Sequence, residues 1–234
     1  WGRVLLDAVR DASELPEDAL PPPVPPPPSR EEGELVKRLA RTARERARAG
    51  LGVPMRRGLE FLEAVRDALP GAIVVGDSTH PVYAGNLYYA APSPGSWFNS
   101  ATGYGTLGYA LPASLGAALA APERPIVCLA GDGGLHYTLG EIGSIRDQDR
   151  AVIVLVWNNA GFGEIRLAME AEHVTPIGVD IHAPDLEALA RAYGCAFSAP
   201  GGLGALPEAL AAAASRREPT IIRVDEPSIL GEGG

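Results

Sequence analysis

From Arg56 onward the apolar residues fall into two alternating rhythms. Short unbroken apolar runs recur in GAIVVGD (71–77), IVCLAG (126–131), VIVLVW (152–157) and PTIIRVD (219–225). Runs of this kind, bounded by turn residues, predict strands buried on both faces. Between them stand segments that read as helices: RGLEFLEAVRDALP (57–70), whose apolar residues lie three and four apart on one face, the small-residue LPASLGAALAAPE (111–123), TLGEIGSIRDQ (138–148), PDLEALARAY (184–193) and residues 205–216. Strand and helix in alternation imply an α/β fold: three layers, with an open, mostly parallel sheet and helices on both faces.

The first 55 residues follow different patterns. Residues 1–20 read as an amphipathic helix with Val4, Leu5, Ala8 and Val9 at helical spacing. PPPVPPPP (21–28) follows, a stiff polyproline spacer. A helix before a spacer has little to pack on, so 1–20 is expected to be the end of a preceding domain. Residues 29–50 predict a charged helix opened by a capping box, with Ser29 as N-cap and Glu32 three residues on. Its arginines are interspersed with acids, the pattern of a solvated face rather than of an RNA-binding arm. The expected organisation is therefore 1–20, end of a preceding domain; 21–55, linker and charged helix; 56–230, a ligand-binding α/β domain.

Composition narrows the partners. A net charge of −9 argues against nucleic acid and against an anionic membrane surface. No apolar stretch reaches the length of a transmembrane helix, and WGRVLLDAVRDA lacks the pattern of a signal peptide. Cys128 and Cys195 read as buried free thiols, consistent with a cytoplasmic protein, although sequence alone leaves a disulfide open.

The strongest chemical signal sits at two strand ends. The 126–131 strand runs into Gly131-Asp132-Gly133-Gly134, and the 152–157 strand into Asn158-Asn159. In open α/β sheets, ligands bind at this edge. Asp132 offers a carboxylate and Asn159 an amide oxygen, hard donors suited to Mg²⁺ or Ca²⁺. Gly131, Gly133 and Gly134 permit close approach of backbone N–H groups to an anion, and a helix predicted to start near Thr138 adds its N-terminal dipole. The donor set suits a divalent metal holding a diphosphate.

A GDG followed at this spacing by NN resembles the thiamine-diphosphate fingerprint of the pyrophosphate-binding domain of thiamine-diphosphate enzymes. The resemblance implies the thiamine-diphosphate-binding fold and Mg²⁺ held by Asp132, the Asn159 side chain and the Gly161 carbonyl. GDSTHPVYAGN (76–86) resembles the diphosphate-binding turn of decarboxylases and acetolactate synthases, which makes Ser78, Thr79 and His80 candidate cofactor ligands. NSATGYGTLGYALPASLGAALA (99–120) resembles a stretch of acetolactate synthase. It implies that the Gly105 carbonyl accepts a hydrogen bond from the cofactor's 4′-amino group. It also implies that Leu107 is the apolar wedge that bends the cofactor, a proximity device. Phe162 and Glu164 are placed on the diphosphate or substrate side, His136 near the helix start, and His173 and His182 in a loop over the site.

The implied function is the C-terminal domain of an enzyme acting on a 2-oxo acid, by decarboxylation with or without carboligation. This group needs a glutamate on a pyrimidine-binding domain, in the same polypeptide or a separate chain, and no glutamate here takes that role. A homodimer or homotetramer is expected. Two rivals remain open: a non-catalytic scaffold of the same fold, and a nicotinamide-dependent oxidoreductase using Gly103-Tyr-Gly-Thr-Leu-Gly108. The latter matches G-x-G-x-x-G, but WFNSAT before it does not read as a strand. No G-x-S-x-G elbow supports a hydrolase.

Overall fold

A computed structural model describes residues 29–231; the predicted helix 1–20 and the proline run fall outside the described residues. The described residues divide into two units, one ending at Glu45 and the other beginning at Arg46. The capping box opens α1 (Arg30–Ala49) as expected: the Ser29 hydroxyl donates to Glu32 at 2.7 Å, and the Glu32 amide donates back to Ser29 Oγ at 3.3 Å.

The second unit carries six strands, β1 (Ile73–Gly76), β2 (Trp97–Asn99), β3 (Ile126–Gly131), β4 (Val152–Asn158), β5 (Ala196–Ser198) and β6 (Thr220–Asp225). They form one sheet in the order β2-β1-β3-β4-β6-β5, with every pairing parallel. The helices are α2 (Val53–Ala68), α3 (His80–Tyr88), α4 (Ala110–Ala120), α5 (Asp132–Leu135), α6 (Glu141–Asp147), α7 (Gly163–Ala171), α8 (Leu186–Ala192), α9 (Leu206–Ala214) and α10 (Glu226–Leu230).

Strand side chains divide by parity between two cores, as a period of two requires. Val74, Val127, Leu129, Ile153, Leu155, Trp157, Ile222 and Val224 point into one core with Phe61, Leu62 and Val65 of α2 and Leu206 and Leu210 of α9. Val75, Cys128, Ala130, Val154, Val156 and Ile221 point into the other, with Leu111 of α4, Ile142 and Ile145 of α6 and Ala190 of α8. These cores are the three layers that the alternation predicts. Both cysteines are free, and burial pushes the Cys128 thiol up, out of reactive range.

Three elements depart from the sequence expectation. WFN is a short strand, β2, in register with Val74–Gly76 of β1, although its flanks are polar; pairing at the sheet edge overrides its weak local signal. The chain is helical from Asp132 onward, through α5 and a 3₁₀ turn, rather than from Thr138. The glycines there pack against Phe162 and Asp77, so packing, not propensity, sets the helix start. GDSTHPVYAGN contains a helix, α3, whose entry Pro81 sets.

From β1 the chain moves to β2 on one side, and from β3 to β4 on the other. The loops leaving β1 and β3 therefore diverge and open a crevice, the position where ligands bind in such sheets. Among the described residues no helix is long and apolar enough to cross a membrane.

Phe61 is fully buried and meets Trp157 edge-to-face, ring centroids 5.2 Å apart. Phe61→Ala is expected to cost about 3–5 kcal/mol of stability. Urea unfolding should show a lowered midpoint with an unchanged slope.

Candidate cofactor site

The carboxyl ends of β1, β3 and β4, with the loop after β2, enclose a cleft of about 460 Å³. All the residues singled out as cofactor or metal ligands line it: Ser78, Thr79, His80, Gly105, Leu107, Gly131, Asp132, Gly133, Gly134, Asn159, Gly161 and Phe162. Glu164 lines it too, whereas His136, His173 and His182 do not.

Three oxygen-bearing groups converge between β3 and β4. Asp132 is 3% exposed; its Oδ1 accepts the Asn159 amide N–H at 3.4 Å, and its Oδ2 is buried without a partner. The terminal amide of Asn159 has one atom 3.2 Å from Asp132 Oδ1 and 2.8 Å from the Gly161 carbonyl. With nitrogen there, the amide closes the cluster by two hydrogen bonds. With oxygen there, three oxygens meet and only a cation satisfies them. Adjacent ligands of an octahedral Mg²⁺ stand about 3 Å apart, so the spacing fits that ion. A carboxylate oxygen left bare in the interior costs free energy unless a cation compensates it. The donor set is one carboxylate and two neutral oxygens, and no cluster of three acids, histidines or cysteines exists among the described residues.

The backbone is shaped to bring these groups together. Ala160 has φ +60, a left-handed conformation that a non-glycine residue adopts only under constraint. This turn swings Gly161 back toward Asp132. Gly161 is pinned from behind: Phe162 N–H donates to the Val179 carbonyl at 2.9 Å, and a Cβ on Gly161 would stand 2.4 Å from that carbonyl oxygen. Arg166 of α7 also pairs with Asp180.

Around the trio the remaining candidates fall into two groups. Thr79 Oγ1 is buried without a partner, beside Gly131. Ser78 Oγ lies 3.3 Å from Ser100 Oγ and donates to the Gly105 carbonyl at 3.4 Å. Gly105 has φ +66, in the region that favours glycine. Leu107 is half-buried and near Gly134. His80 is arranged differently: its ring stacks on Trp157, its Nδ1 is 3.6 Å from Glu164 Oε1, and its Nε2 is buried without a partner. The Glu164 carboxylate beside it holds the His80 imidazole above its ordinary pKa.

Asp77 is a structural residue that the sequence reading did not single out. It is 1% exposed, and it accepts the Gly108 and Ala110 amides at 3.0 and 3.1 Å. Its only local signal was an acid immediately after a buried strand; its partners lie about thirty residues away. A Cβ on Gly134 would come within 3.1 Å of its Oδ2. The strand β2 does precede the Gly103–Gly108 motif, so the sequence argument against a dinucleotide there rested on a wrong reading. The structural argument stands instead: Asp77 occupies the amides at the start of α4, and its carboxylate repels a pyrophosphate.

Residues 75–224 match the family described as thiamine pyrophosphate enzyme, C-terminal TPP binding domain. A probable 2-ketoarginine decarboxylase of Pseudomonas aeruginosa is 42% identical over 166 residues, 70% of this chain and 30% of that protein. An acetolactate synthase large subunit of Parasynechococcus marenigrum is 36% identical over 139 residues, 58% of this chain and 22% of that protein. Among solved structures, a thiamine diphosphate-dependent 4-hydroxybenzoylformate decarboxylase of Rhodococcus jostii is similar with a TM-score of 0.64. It shares 28% identity over 75% of this chain and 33% of its own. The chain thus spans about a third or less of the length of these relatives.

Burial pushes the carboxyls of Asp77 and Asp132 above their ordinary range, against the opposing pull of neighbouring amides. Ionisation of such groups opposes folding. Their contribution is most favourable while protonated and declines as pH rises from the unfolded value, about 4, through the raised folded one. In EDTA, Asp132→Asn is therefore expected to gain stability relative to the native protein as pH rises from about 4 to about 7. Mg²⁺ with thiamine diphosphate should reverse that gain. Urea unfolding across this range checks it, and a flat difference contradicts it.

Proposed function

Because the chain belongs to the thiamine pyrophosphate enzyme family, whose C-terminal TPP-binding domain it carries, we propose that it holds Mg²⁺ and the cofactor's diphosphate in an enzyme acting on 2-oxo acids. The observation that carries this is the convergence of Asp132, Asn159 and Gly161, with a bare buried carboxylate oxygen, at the wall of the cleft. These three groups hold the metal. Ser78, Thr79 and the Gly131–Gly134 backbone receive the diphosphate, with His80 at its margin and Phe162 packed over Gly133. The Gly105 carbonyl orients the aminopyrimidine, and Leu107 supports the cofactor from below.

Bound thiamine diphosphate supplies the carbon nucleophile and the electron sink that decarboxylation of a 2-oxo acid needs. The protein's share is orientation and exclusion of water. The names of the relatives, decarboxylases and an acetolactate synthase, favour decarboxylation, with or without joining of the product to a second carbonyl. The relative acting on 2-ketoarginine favours a simple decarboxylase.

A second domain completes the site. Helix α7 buries none of its residues, although Ile165 and Leu167 are 50% and 59% exposed; Ile177 is 76% exposed and Tyr104 fully so. Apolar exposure bordering a cleft marks an interaction surface. A pyrimidine-binding domain, from the same polypeptide or another chain, covers it and brings the activating glutamate, in a homodimer or homotetramer.

Calorimetric titration with thiamine diphosphate tests the reading. Binding is expected to require Mg²⁺, and Asp132→Ala is expected to weaken it by at least about a hundredfold, beyond the about 10–100-fold cost of losing a mere supporting contact to a metal site. Binding that is indifferent to Mg²⁺ or to this substitution contradicts it.

A further inference from the structure

The cleft is lined by two carboxylates, Asp132 and Glu164, and by no lysine or arginine. Asp132 is buried and committed to the oxygen cluster. Glu164 stands apart from that cluster, in the first turn of α7, with its side chain 46% exposed. One of its oxygens faces His80 Nδ1 at 3.6 Å; neither accepts a hydrogen bond from the described residues. This carboxylate is therefore held in place on one side and open on the other.

A carboxylate that faces His80 on one side and lies open to a substrate cleft on the other discriminates. It repels the carboxylate end of a 2-oxo acid, and an apolar tail laid over it would strip its water without replacing it. A cationic tail instead gains a charge-assisted hydrogen bond, bidentate where the tail is a guanidinium. The same cleft presents Tyr83, Tyr104 and Ile165, surfaces suited to a methylene stem and to the flat face of a guanidinium.

We infer that Glu164 is the counter-charge for a basic group at the far end of the substrate, so the substrate class is a 2-oxo acid bearing a terminal cation. This rests on the reading of the cleft as a thiamine-diphosphate site. Recognition is by selectivity: Glu164 acts on the tail and takes no part in bond breaking.

The test uses the assembled enzyme with Mg²⁺ and thiamine diphosphate. The kcat/KM for 5-guanidino-2-oxopentanoate is compared with that for 2-oxoheptanoate, whose tail is uncharged, in the native protein and in Glu164→Gln. The native enzyme is expected to prefer the guanidino acid, and the substitution to lower that preference at least about tenfold, the scale of a hydrogen bond to a charged group. In parallel, 4-guanidinobutanoate, which carries the cation but no 2-oxo group, is titrated by calorimetry and should bind Glu164→Gln at least about tenfold more weakly. A native preference for 2-oxoheptanoate, or a preference unmoved by the substitution, overturns the inference while leaving the cofactor site intact. Absence of thiamine diphosphate binding in the native protein overturns the underlying reading instead.

Discussion

A buried carboxylate oxygen without a partner is the feature around which the rest of this site is arranged. Asp132 Oδ2 sits in the interior at the end of β3, where an unpaired charge is costly. The neighbouring structure crowds oxygen beside the same carboxylate: one atom of the Asn159 side-chain amide lies 3.2 Å from Asp132 Oδ1 and 2.8 Å from the Gly161 carbonyl oxygen. Holding them there takes a left-handed alanine at 160 and a glycine at 161 pressed against the Val179 carbonyl. Strain of this kind persists only where surrounding contacts over-determine it. Here those contacts are the Phe162–Val179 hydrogen bond and the Arg166–Asp180 pair.

The sheet explains why these groups meet at all. Parallel pairing of β3 with β4 aligns Gly131 with Trp157, which brings Asp132 and Asn159 side by side just past the strand ends. The reversal between β1 and β3 opens the space beside them. Asp77 then ties the end of β1 to the start of α4 and fixes the loop carrying Gly105 and Leu107 against Gly134. One buried acid organises the frame and the other lines the cleft. Both are set by tertiary position, not by residue type.

Much of this was legible in the sequence because it is local. Four of the strands are apolar runs in the sequence, and the strand-end motifs at 131–134 and 158–159 lie at the sheet edge where the cleft opens. What escaped was non-local. Trp97–Asn99 becomes a strand only by pairing with β1. The helical start at Asp132 depends on glycines packing against Phe162 and Asp77. The partners of Asp77 lie a full strand–helix unit away, and the His80–Glu164 approach joins the first turns of two distant helices. Pattern reading sees neighbours three or four residues apart, and none of these pairs is that close.

The central claim is that the Asp132–Asn159–Gly161 cluster is a divalent-metal site. The most direct measurement is a crystal structure of the protein grown with Mn²⁺ and thiamine diphosphate, with the metal located by its anomalous signal. The account predicts one strong peak bonded to Asp132, to the side-chain oxygen of Asn159 and to the Gly161 carbonyl, at about 2.0–2.2 Å, the range of a hard octahedral ion. A peak elsewhere, or the Asn159 nitrogen still turned toward Asp132 with the cofactor bound, would contradict it.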